Sequence, residues 1–141
     1  ARACVMAGSD IVALDATGRP RLDGLSFAST VAALREDGTL VMADCGSFED
    51  AQRAVDTGVD IVSTTLAGYT GDRVKTDGPD LELLAEVVAA FPDVPVICEG
   101  RVHTPEQAAA AIEVGAFAVI VGTAITHPTS ITTWFKAAVE G

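Results

Sequence analysis

Cations and aromatic rings are scarce in this sequence. Nine Lys and Arg stand against twenty Asp and Glu, a formal net charge of −11. A chain so poor in cations is ill suited to neutralising a phosphate backbone, which argues against a nucleic-acid partner. Aromatics make up 5% of the residues, so a core has to be assembled from Val, Ala, Leu and Ile. That composition suits parallel strands buried on both faces, with Ala-rich helices over them. No apolar run approaches the roughly 18 residues of a membrane-spanning helix, and no signal-peptide pattern opens the chain. The expectation is a cytoplasmic protein without a membrane partner. The three cysteines, Cys4, Cys45 and Cys98, lie far apart with no C-x-x-C. Cys45 and Cys98 read as small hydrophobes in a reducing compartment, rather than as metal ligands or reactive thiols. Two further patterns are missing: a G-x-G-x-x-G after any strand, which weakens a dinucleotide-binding sheet, and any hairpin signal.

What is present is alternation. The 141 residues suffice for one domain with a real core. Apolar strands are expected at 10–15, 39–44, 60–66, 94–98 and 118–122. Between and after them come helical patterns starting near Ser26, Ser47, Asp80, Thr104 and Ser130, with the first residues reading as the tail of another helix. Gly8, Gly58 and Gly115 each stand two or three residues before a strand, an internal echo of one repeated unit. Five strand–helix alternations without a hairpin imply right-handed βα units and a parallel sheet. The choice lies between a doubly wound sheet and part of a (β/α)8 barrel, which usually needs about 250 residues. Because the chain opens inside a helix, a truncated barrel is the better fit.

Residues 94–107 hold the clearest boundaries. An apolar strand is followed by Glu99-Gly100-Arg101 and then by Thr104-Pro105-Glu106-Gln107, an N-cap with Pro at the first helical position and Gln at the third. Charge where a buried strand ends is costly unless paired or used. Glu99 and Arg101 are therefore either an ion pair stitching strand ends together or part of a site. The expected carboxyl ends of the five strands gather Asp15, Asp44, Thr64 and Thr65, Glu99 with Arg101, and Gly122-Thr123. Carboxylates converging on one rim raise a pKa, which suits general acid–base work. Asp15 is as readily a loop-closing residue through Thr17 or Arg19, and Asp44 as readily a helix cap near Ser47. Tyr69, in a long polar loop, either covers the rim or packs on it. Gly100 and Gly122-Thr123 are placed to bind an anion through backbone N–H groups, with His127 as a further donor. His103 reads as packing beside a helix cap.

Seven pieces together resemble a known family: Ile11-Val-Ala-Leu-Asp-Ala-Thr17, Met42-Ala-Asp44, Asp60-Ile-Val-Ser-Thr-Thr-Leu-Ala-Gly-Tyr-Thr70, Gly78-Pro-Asp80, Glu99-Gly-Arg101, Thr104-Pro-Glu106 and Val121-Gly-Thr-Ala-Ile-Thr126. In order and spacing they resemble the carboxyl-terminal part of the N-acetylmannosamine-6-phosphate 2-epimerases, across nearly the whole chain. The resemblance implies a phosphate-binding (β/α)8 TIM barrel truncated to about strands 4–8, with residues 1–141 one incomplete barrel domain. It also implies an isomerase, interconverting N-acetylmannosamine 6-phosphate and N-acetylglucosamine 6-phosphate in sialic-acid catabolism without a metal or redox cofactor. Its partner is then a small sugar phosphate, and the assembly to expect at full length is a homodimer. By resemblance Glu99 matches the catalytic glutamate and Asp44 a substrate-contacting aspartate. Gly100, Arg101, Gly122 and Thr123 match the region holding the sugar phosphate.

Two positions depart from the family. Its catalytic lysine ends a strand, whereas Lys75 and Lys136, the two lysines here, do not. His127 stands where the family usually has an arginine, and a histidine is a shorter donor that is only partly charged near neutral pH. On this account the 141 residues are expected to be inactive alone. Another sugar-phosphate isomerase or lyase on the same barrel, or a non-catalytic phosphosugar-binding remnant, stays open at this point.

Overall fold

The computed structural model describes residues 1–141. Five strands, β1 (Ile11–Asp15), β2 (Leu40–Asp44), β3 (Ile61–Ser63), β4 (Val96–Glu99) and β5 (Ala118–Ile120), form one sheet in chain order. All four pairings are parallel. The helices are α1 (Arg2–Met6), α2 (Phe27–Glu36), α3 (Phe48–Thr57), α4 (Leu81–Ala90), α5 (Pro105–Val114), α6 (Thr123–Thr126) and α7 (Pro128–Glu140). None is long and apolar enough to cross a membrane.

Local chemistry sets the helix starts. Ser26, Ser47, Asp80 and Thr104 each accept a hydrogen bond from the backbone N–H three residues on, and Thr104 with Gln107 completes a capping box. Each such cap contributes about 1 kcal/mol. Gly58 and Gly115 stop α3 and α5 in the left-handed conformation, at φ 87° and 114°, where a Cβ is penalised. The last helix begins at Pro128 rather than near Ser130, because His127 caps it by accepting from the Ser130 N–H. The one-turn α6 is an addition to the expected elements.

The expectation of a sheet buried on both faces is corrected by the burial pattern. In β1 and β2 it alternates: Val12, Leu14, Val41 and Ala43 are buried, while Ile11 and Leu40 are 46% and 47% exposed. The covered face joins Val62, Val96 and Cys98 to Val31 and Leu34 of α2, Ala51 and Ala54 of α3, Leu83, Leu84 and Val87 of α4, and Ala111 of α5 in one core. Fully burying each Leu stabilises by roughly 1.5–3 kcal/mol. The other face has no helix on it. It carries Ile11, Leu40 and Ile120, half exposed, and at its carboxyl end Asp15, Asp44, Ser63 and Glu99. The helix α7 contributes no buried residue; Phe135 and Val139 are exposed.

The third strand is shorter than residues 60–66. Past Ser63 the chain turns, and the Thr64 hydroxyl takes over from the ladder. It accepts from the Glu99 N–H and donates to the Glu99 carbonyl, both at 3.1 Å.

A methyl group at Gly115 would lie 2.9 Å from Val88 Cγ1, whereas one at Gly71, also at positive φ, would meet nothing within 4 Å. Gly115→Ala should therefore lower stability by about 1–3 kcal/mol and by more than Gly71→Ala. Urea unfolding of both variants checks this, and equal losses would show that the α5–α4 contact does not set the cost.

Candidate active site

Register brings the acids together. Asp15 pairs with Asp44 across β1 and β2, and Asp44 with Ser63 across β2 and β3. Because side chains alternate, these three and Glu99 point to the uncovered face, and Thr65, in the turn just past β3, meets them there. Thr65 Oγ1 is the junction. It lies 3.0 Å from Asp44 Oδ1, 2.9 Å from Glu99 Oε2 and 2.6 Å from Ser63 Oγ. Ser63 Oγ is also 3.3 Å from Glu99 Oε2.

The acids differ in setting. Asp15 accepts from the Thr17 N–H at 2.9 Å, the Thr17 hydroxyl at 2.6 Å and Arg19 at 2.5 Å. Burial alone would raise its pKa, but the bonds from Thr17 and Arg19 outweigh it and hold Asp15 below the usual range. It is the loop-closing residue. Asp44 caps no helix. Burial pushes its carboxyl up to about 6, against the lowering hydrogen bond from Thr65 and with help from the charges of Glu99 and Asp15. Cys45 and Cys98 are buried, and burial pushes both thiols up, so they serve as packing.

Beside Glu99 opens a cavity of about 200 Å³, lined by Thr65, Tyr69, Glu99, Gly100, Arg101, His103, Gly122 and Thr123 among others. Gly100 and Arg101 take φ of 105° and 57° in succession, and Arg101 is the one non-glycine residue at positive φ. This turn aims the guanidinium away from Glu99, so of the two readings of Glu99 and Arg101 the ion pair does not form. Arg101 instead donates to the carbonyls of Gly78 and Ala67, at 3.0 and 2.7 Å, and to the Thr76 hydroxyl at 3.0 Å. It also lies 5.2 Å from the centre of the Tyr69 ring, with Lys75 Nζ at 5.1 Å, both within cation–π range. Residues 67–78 are thus pinned around one side chain. A second arginine, Arg73, grips Asp80 at 2.7 and 3.1 Å and holds that buried carboxyl ionised.

Of the residues expected to bind substrate, Gly100, Arg101, Gly122 and Thr123 line the cavity and Asp44 joins it through Thr65. His127 does not line it: its Nδ1 caps α7, 2.7 Å from Ser130 Oγ. His103 packs on Trp134, ring centres 4.8 Å apart, and faces the cavity as well. Sequence reasoning passed over Ser63 and undervalued Thr65. Their signal was the run Ser63-Thr64-Thr65, three hydroxyls where an apolar strand should continue.

A family model described as "NanE: Putative N-acetylmannosamine-6-phosphate epimerase" matches residues 2–141. A curated relative from Cutibacterium acnes, named "Putative N-acetylmannosamine-6-phosphate 2-epimerase", is 57% identical over 99% of this chain and 62% of its own length. The solved N-acetylmannosamine-6-phosphate 2-epimerase from Clostridium perfringens is 42% identical, with a TM-score of 0.89 over 93% of this chain and 57% of that one. FabK from Thermotoga maritima, 22% identical with a TM-score of 0.65 over 87% of this chain and 36% of its own, shares the fold. The chain spans about six-tenths of the length of the curated relatives it matches.

A carboxyl whose folded pKa is raised binds more protons folded than unfolded between about pH 4 and 6, so its effect on stability worsens as pH rises through that window. Asp44→Asn should therefore melt higher than wild type at pH 8, with the difference closing by pH 4. A pH-independent difference in Tm would refute the assignment. For the loop, Arg101→Ala removes hydrogen bonds from a charged donor worth about 1.5–3 kcal/mol each. Tryptic cleavage after Lys75 should then speed up at least tenfold (about 1.4 kcal/mol), and unchanged cleavage would mean the loop holds without its pin.

Proposed function

The chain belongs to the N-acetylmannosamine-6-phosphate epimerase family, and from that premise we propose that it acts in interconverting N-acetylmannosamine 6-phosphate and N-acetylglucosamine 6-phosphate by inverting C2. The observation that carries this reading is the linked set Asp44–Thr65–Glu99 on the uncovered face, beside a cavity also lined by Gly100, Gly122 and Thr123. Inversion removes the proton next to the masked C1 aldehyde and returns one to the other face, which needs groups that accept and give protons near neutral pH. Glu99 is the catalytic residue of this reading, and Asp44 contacts the sugar. The backbone at Gly100 and Gly122, with Thr123, holds the phosphate, and Arg101 adds the two N–H groups its loop bonds leave unspent. The second proton-handling group works from the opposite side of C2. The family's lysine has no counterpart at a strand end here: Lys75 lies beside Tyr69, and Lys136 pairs with Glu140 at 3.3 Å.

The same reading makes β1 to β5 strands 4–8 of a phosphate-binding (β/α)8 barrel, with residues 1–141 one incomplete barrel domain. The in-order parallel strands and the single helix-covered face support it, since a doubly wound sheet carries helices on both faces. The relatives lend no support to the expectation that these residues are an inactive piece.

Solvent deuterium tests the chemistry. Incubation of either sugar phosphate in deuterium oxide should label C2, and Glu99→Gln should cut kcat by about 10²-fold or more while binding survives. Binding of the sugar phosphate without any label at C2 would instead establish a non-catalytic phosphosugar-binding protein. Near-normal turnover by Glu99→Gln would remove Glu99 from the chemistry.

A further inference from the structure

Around Thr65 there are more short oxygen–oxygen contacts than hydroxyl hydrogens to fill them. Three oxygen–oxygen contacts meet at Thr65 Oγ1, at 2.6 Å to Ser63, 2.9 Å to Glu99 and 3.0 Å to Asp44. Each separation is that of a hydrogen bond and needs a hydrogen between the two oxygens. The two hydroxyls supply one each, and an ionised carboxylate supplies none. However the two hydroxyl hydrogens are turned, one short contact is left without one unless Asp44 or Glu99 is protonated. Two ionised carboxylates on one hydroxyl would also repel across a partly dry rim.

We propose that Asp44 and Glu99 hold a single proton between them, and that the Thr65 hydroxyl is the positioning residue through which it passes. Transfer is balanced: the Asp44 O–H breaks as its proton joins Thr65 Oγ1, and the Thr65 O–H breaks as its hydrogen joins Glu99. Asp44 is left ionised, Thr65 unchanged and Glu99 protonated. The reverse sequence resets the pair. Asp44 Oδ1 and Glu99 Oε2 are thereby joined without touching.

The surroundings leave this pair to itself. From β1, Asp15 is held ionised by Thr17 and Arg19, which adds negative charge and favours keeping the proton. On α3, Asp50 is paired with Arg53. From the turn after β4, Arg101 is committed to residues 67–78, and from that loop Lys75 stands over Tyr69. Cys45, next to Asp44, is a buried thiol raised out of the neutral range. The raised pKa of Asp44 agrees with a retained proton.

The sharing stands on geometry alone, while its use in turnover rests on the epimerase reading, so the two are measured separately. Carbon-13 NMR of the Asp44 and Glu99 carboxyl carbons, titrated from pH 3 to 9, reads the sharing directly. Both carbons should shift in each of two macroscopic steps. Thr65→Val should confine each carbon to one step, and Thr65→Ser should restore the joint pattern. Should Thr65→Val fail to fold, Asp44→Asn serves, since it must reduce Glu99 to a single step. Independent one-step titrations in the wild type, or a joint pattern unchanged in Thr65→Val, would overturn the proposal. In turnover, Thr65→Val should move the acid limb of the kcat–pH profile and lower kcat at least tenfold. An unmoved limb would deny the shared proton a part in turnover. Joint titration in a protein that labels no C2 would sink the epimerase reading and leave the sharing intact.

Discussion

One buried hydroxyl decides how the rim is built. Where β3 ends, Thr64 Oγ1 accepts from the Glu99 N–H and donates to the Glu99 carbonyl. Buried backbone groups must find partners, and the Thr64 side chain supplies them at the point where β3 leaves the ladder. The substitution holds the end of β4 against the turn after β3 while freeing the main chain of both to change direction. Thr65 and Glu99, adjacent to the atoms so bonded, then meet on the uncovered face.

From that fixed point the charges are sorted rather than pooled. The turn at Gly100 and Arg101 sends the guanidinium to the loop, so Arg101 forms no ion pair with Glu99. Asp15 is held ionised by its own neighbours, Thr17 and Arg19. What remains is a pair of carboxyls joined by a hydroxyl, in a setting that raises the pKa of Asp44. Separating acids by environment is how one site can keep an acid and a base at the same pH. The arginine, meanwhile, works on the loop that forms the lip of the cavity.

Much of the architecture was legible because its signals are local. Ser47, Thr104-Pro105 and Gly115 mark helix ends within a few residues, and the five alternations fix a parallel sheet. The loop-closing role of Asp15 was readable for the same reason, since Thr17 and Arg19 are its near neighbours in the chain. The second face of the sheet was misread. Continuous apolar strands such as residues 40–43 look covered on both sides, yet in β1 and β2 only alternate positions, those facing the helices, are buried.

Element order, caps and the placing of polar residues at strand ends could all be read along the chain, because each depends on contacts within one turn or on hydrophobic period. Which of those residues meet depends on the assembled fold. Arg101 lies two residues from Glu99 yet bonds to carbonyls 23 and 34 residues away, because a left-handed backbone turns it. Thr65 joins Asp44 to Glu99 across 21 and 34 residues because parallel register aligns the ends of three strands. Register and turn handedness are properties of the assembled sheet, and no local pattern in the chain encodes them.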